Sequence, residues 1–141
     1  MTVRYVVDTD VISETARTRP DASVLSWLAR EGSIALASVT VYELARGVER
    51  KPAGRKKALL EAWLSRLLSA GPEVVAFVRD AALAATRLEG DARRHGRSIA
   101  AHDLFILASA KSKGLAVASR NVAHFRGFGV AVYDPFADAY A

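Results

Sequence analysis

The chain has 141 residues, 51% hydrophobic and 25% charged, with a formal net charge of +5. That is the size of one globular domain able to bury its own core, and the balance excludes a disordered or fibrous chain. There is no cysteine, which excludes disulfides, thiolate zinc sites and cysteine nucleophiles and permits a reducing cytosol.

A sequence pI near 9.9 favours a polyanionic partner, nucleic acid or an acidic protein, over a neutral one. A basic surface without such a partner is the plain alternative. Arg4 interrupts any apolar leader and Asp8 and Asp10 follow at once, so no signal peptide is expected. The apolar runs are too short to span a bilayer, and a cytoplasmic protein with no membrane contact is expected.

Strand-like apolar runs alternate with helical patterns. This predicts an α/β fold with a mainly parallel central sheet of four to five strands flanked by helices, as one domain over residues 1–141. Val3 to Val7 is the first predicted strand. A short helix over about Val11 to Arg17 follows, with Asp10 as a candidate cap. Pro20 and Asp21 then start a helix to about Arg30, and Gly32 ends it. Ile34 to Ala37 is a second strand and Val41 to Arg50 a helix. After Pro52 and Gly54 an amphipathic helix is predicted from Arg55 to Ser69, closed by Gly71-Pro72. Val74 to Phe77 is a third strand, Arg79 to His95 a helix, and Ala101 to Lys113 another, stopped by Gly114. Leu115 to Ser119 and Val130 to Tyr133 complete the strands.

Three acids stand at predicted element ends. Asp8 closes the apolar run in YVVDTDVIS, where ligands of parallel sheets bind. Glu43 lies in SVTVYELARGV, just after the second strand. Thr40 and Glu43 also have capping-box spacing, which would explain the glutamate without any function. Gly47, one turn on, costs roughly 1 kcal/mol in a helix and suggests that something needs space there. Asp103, in SIAAHDLFILA, shares a helical stripe with Ile99, Ile106, Leu107 and Ala110, which places an acid on a core-facing side. A helix-start aspartate favoured by the dipole is the competing explanation. Hard cations such as Mg²⁺ and Mn²⁺ prefer such oxygen donors.

YVVDTDVIS, SVTVYELARGV, HGRSIAAHDLFILASAKSKG and LAVASRNVAHF, in this order and over nearly the whole chain, resemble the motifs of PIN-domain ribonucleases, specifically VapC-type toxins of type II toxin–antitoxin pairs. The resemblance implies metal-dependent hydrolysis of RNA with Mg²⁺ or Mn²⁺. It implies that Asp8, Glu43 and Asp103 are catalytic, metal-binding carboxylates. Family members often carry a further aspartate in the segment that here reads Ser119-Arg120-Asn121-Val122-Ala123-His124-Phe125. This chain has Asn121 and His124 instead, so Asn121 is expected to complete the catalytic set with water and substrate phosphate. Ser119 and Arg120 are candidates for phosphate contact, and Arg55, Lys56 and Lys57 for wider RNA binding. The resemblance further implies a cognate VapB-type antitoxin, a homodimer, a higher assembly with antitoxin, and DNA contact only through the antitoxin. Apolar surface on the helices carrying Val24, Leu25, Trp27 and Leu28 and Leu59 to Leu68 is the candidate antitoxin groove.

Three rival readings are distinguishable. A haloacid-dehalogenase-type phosphatase would use Asp8 as nucleophile but needs a late acidic pair that this sequence lacks. A metal-free ribonuclease would use His102 and His124 as acid and base. A catalytically weakened PIN module would bind RNA without cutting it.

Overall fold

Tyr5-Val6-Val7 has no polar alternation, the pattern of a strand covered on both faces, and it forms strand β1 (Tyr5–Val7) inside a six-stranded sheet. The structure, a computed structural model, describes residues 2–141. Helix α1 (Thr9–Ile12) leaves β1 at once and tightens into a 3₁₀ turn over Ser13–Ala16. Helix α2 (Ala22–Glu31) starts at Asp21, whose carboxylate accepts from the Val24 N–H. Strand β2 (Ala35–Ala37) runs without a loop into helix α3 (Ser38–Glu49). Helix α4 (Arg55–Ser69), strand β3 (Glu73–Val75), helix α5 (Arg79–Arg94), helix α6 (Ala101–Lys113) and strand β4 (Ala116–Ala118) follow. A one-turn helix α7 (Val122–Phe125), strand β5 (Val132–Asp134) and strand β6 (Ala139–Tyr140) complete the chain.

The sheet order is β3-β2-β1-β4-β5-β6, with every pair parallel except β5 and β6. The expected mainly parallel sheet is therefore present. It has six strands rather than the expected four to five, because the chain turns back after Pro135 and adds a two-residue antiparallel edge. Asp138 makes that turn at φ 54°, a left-handed conformation that aspartate tolerates better than most residues.

Alternate residues of β1 feed two apolar layers. Val6 packs with β2, β4, α5 and α6 through residues such as Leu88, Ile106, Leu107 and Phe125. Tyr5 and Val7 pack on the other side with Val11, Val24, Trp27, Leu36 and Tyr133. Helix α4 contributes no fully buried residue; Trp63, Leu64 and Leu67 only lean on this second layer. Among the described residues no helix is long and apolar enough to cross a membrane.

Candidate active site

All five parallel strands end at one rim. The chain leaves β1 toward β2 and β3 on one side and returns through β4 and β5 on the other, so the crevice between β1 and β4 is a topological switch point. Asp8 follows β1 and Ser119 follows β4. The Ser119 hydroxyl donates to Asp8 Oδ2 at 2.7 Å, and the Thr9 N–H donates to Asp8 Oδ1 at 2.7 Å. Asp8, not Asp10, is thus the cap of α1. It is only 5% exposed. Burial raises its pKa above the ordinary carboxylate value and the charge of Asp103 adds to this, while the two hydrogen bonds and His102 oppose it.

Helix α6 leads down to the start of β4, so its first turn lies at the same rim. Asp103 is in that turn, and Ile106, Leu107 and Ala110 on its stripe are fully buried. The helix N-cap is Ala100 and makes no side-chain bond. Asp103 turns its carboxylate to two imidazoles instead: Oδ2 lies 3.0 Å from His124 Nδ1 and Oδ1 lies 3.2 Å from His102 Nε2. The sequence offers His102 and His124 only as the acid and base of the metal-free reading, not as partners of Asp103. Their convergence depends on α7 folding back over α6, which no local pattern announces.

Glu43 sits in the second turn of α3, and its Oε1 accepts from the Thr9 hydroxyl at 3.5 Å, beside Asp8. The capping box is not formed. The helix starts two residues before Thr40, whose hydroxyl is buried and has no partner. At Gly47 a Cβ would meet nothing within 4 Å, so no other part of the chain needs the space its missing side chain leaves.

Asp10 is the fourth acid of the rim. The Arg120 N–H donates to its Oδ2 at 3.2 Å, and its buried Oδ1 has no partner. Burial, and then the charge of Asp8, push its pKa up to about 6, against the pull of the Arg120, Val11 and Asn121 N–H groups. The sign is unusual for an aspartate. The folded metal-free protein takes up a proton between about pH 6 and pH 4 that the unfolded chain does not, so this group makes stability fall as pH rises through that window. A shift of this size corresponds to about 3 kcal/mol at full burial, and solvent access reduces it to roughly 1 kcal/mol. Asp10→Asn is expected to stabilise the metal-free protein by that amount near neutral pH and to leave it unchanged below about pH 4. Urea denaturation at the two pH values checks this; equal effects at both would remove the carboxylate as the cause.

The remaining predicted site residues divide. Ser119 is completely buried, and its hydroxyl also accepts from the Asn121 N–H at 3.0 Å. Rather than facing solvent, where a phosphate contact was expected, this hydroxyl holds Asp8. Asn121 precedes α7 at the rim with its side chain exposed. Arg120 lays its guanidinium over the Phe136 ring, 4.6 Å from the centroid, rather than over the acids. Arg55, Lys56 and Lys57 open α4, and Lys57 Nζ donates to the Glu49 carbonyl at 3.0 Å.

Among the described residues no three acid or imidazole side chains stand together at metal-ligand spacing. The donor chemistry nevertheless fits a hard divalent cation. Asp8, Glu43 and Asp103 bring carboxylate oxygens to one rim, Asp8 is desolvated, and Asp10 carries a buried oxygen without a partner.

The PIN domain family profile matches residues 5–127. The chain is 36% identical over 138 residues to Toxin FitB of Neisseria gonorrhoeae, covering 94% of this chain and 99% of that protein. It is 31% identical over 138 residues to the VapC ribonuclease Y4jK of Sinorhizobium fredii, covering 95% and 99%. The structure of FitAB bound to a DNA fragment superposes with a TM-score of 0.85 at 33% identity, covering 94% of this chain and 95% of that one.

Proposed function

Since the chain belongs to the PIN-domain family and is of the VapC toxin type, we propose that it is a divalent-metal-dependent endoribonuclease acting as the toxin of a toxin–antitoxin pair. The observation that carries this reading is Asp8 at the carboxyl end of β1, fixed by Ser119 across the switch point, with Glu43 reaching the adjacent Thr9 hydroxyl and Asp103 near enough for its charge to raise the Asp8 pKa.

Asp8, Glu43 and Asp103 would hold Mg²⁺ or Mn²⁺. When bound, the cation lowers the pKa of an attacking water and neutralises charge on the scissile phosphodiester. Ser119 and the Thr9 N–H keep the Asp8 carboxylate aimed at the rim. Asn121 offers an exposed amide to the substrate phosphate, and Arg55 and Lys56 give electrostatic footing for the RNA strand. The α2 and α4 face, where Leu25, Leu59 and Leu68 are 40%, 60% and 40% exposed, receives an antitoxin segment. The protein acts in the cytoplasm as a homodimer, in a larger assembly with its antitoxin, and reaches DNA only through it.

Purified protein freed of antitoxin is expected to cut single-stranded RNA with Mg²⁺ or Mn²⁺, to stop in EDTA, and to recover when Mn²⁺ is restored. Cutting that persists after complete removal of metal would transfer the reaction to His102 and His124, the imidazoles on Asp103.

A further inference from the structure

The segment leading into α6 carries an arginine held against α7 and the turn after it. The Arg97 guanidinium donates to the carbonyl of Arg126 at 2.8 Å and to that of Ala123 at 3.3 Å, and it lies 4.3 Å over the Phe128 ring. Gly127, at φ +92°, leaves room for it: a Cβ there would come within 3.1 Å of Arg97 Nη1. These contacts fasten residues 97–100 to α7 and the turn after it. Between the two segments lies a cavity of about 360 Å³, bounded by Arg97, Ile99, Ala100 and Ala123, with Asp103 and His124 in its wall. The volume is at the small end of the range for ligand pockets.

Resting on the nuclease reading above, we propose that this cavity seats one base of the RNA, from a nucleotide beside the scissile phosphate, and so sets which sequence is cut. Ile99, Ala100 and Ala123 give it apolar surface, which suits a flat base. The His124 ring is 56% exposed while its Nδ1 is held by Asp103, so it presents a fixed planar face for stacking. Arg97 uses only two of its five N–H donors on carbonyls. The rest form a fixed donor set for acceptors on the base edge. Because the arginine is already held, it loses little freedom when RNA binds.

The test fills the cavity from each side while leaving the acids themselves unsubstituted, with Ala123→Trp from α7 and Ala100→Phe from the segment before α6. Both positions are exposed, and both variants enter the cavity. Three quantities are measured: affinity for a mixed-sequence single-stranded RNA pool in an Asp8→Asn background, Mn²⁺ affinity by calorimetry, and the spectrum of RNA ends after cleavage. We expect RNA affinity to fall about fivefold or more, the least expected for one lost stacked base. Mn²⁺ affinity should stay within about twofold, and the preferred bases at the cut should change. If both folded variants bind as tightly and cut the same sequences as wild type, the cavity is not a base site. If wild type cuts no RNA with Mn²⁺ bound, the nuclease reading fails and takes this inference with it.

Discussion

Asp103→Asn is expected to lower RNA cleavage by about two to three orders of magnitude, the loss typical of removing one preorganised electrostatic group from a reaction centre. The substitution keeps the shape of the side chain and removes its charge. Its neighbours His102 and His124 are half exposed, so the lost ion pairing alone has little effect on folding. Removing the charge also relieves Asp8, whose protonation Asp103 favours. The metal-free variant should therefore be as stable as wild type or more so. Mn²⁺ should raise the melting temperature of wild type, because it binds only the folded state, and raise that of the variant much less. Thermal melts with and without Mn²⁺, beside single-turnover cleavage of a labelled RNA, separate a metal-binding role from a helix-start role. A fully active Asp103→Asn protein would remove this residue from the site.

Phe125→Ala should destabilise the protein by about 3–5 kcal/mol. Phe125 is completely buried against the layer formed by α5, α6 and β4. It is the one buried residue of α7, and a helix of four residues has no stability of its own. Its ring is therefore what holds α7 on the sheet, and His124, the preceding residue, depends on it for contact with Asp103. Phe125→Leu keeps most of the volume and should lose less than about 1.5 kcal/mol. Equilibrium denaturation measures both. A loss below about 1 kcal/mol for Phe125→Ala would mean that α7 is held by the Arg97 contacts rather than by the ring.

The sequence by itself determined the alternation of elements and the rim. A run such as Tyr5-Val6-Val7, free of polar alternation and ending in an aspartate, reads as a strand buried on both faces with its acid at the end. The stripe joining Asp103 to Ile106, Leu107 and Ala110 likewise fixed which way that acid faces, because a 3.6-residue period is written in the residues themselves. Element ends were less legible. Helix α3 starts at Ser38 rather than Val41, since β2 passes directly into it and no capping side chain marks the junction. Helix α7 and strand β6 left no periodic trace because two to four residues are too few to show one. Only the tertiary structure decided the partners of each polar group. Ser119 and Asp8 are 111 residues apart and meet because β1 and β4 are neighbours in the sheet. That pairing gives Ser119 the role of a support for Asp8 in the fold. The fold of α7 over α6 brought His124 to Asp103, and the Phe136 ring drew Arg120 away from the acids. Periodicity records which face of an element is buried. Contacts between distant elements follow from how those faces stack, and no local spacing encodes that.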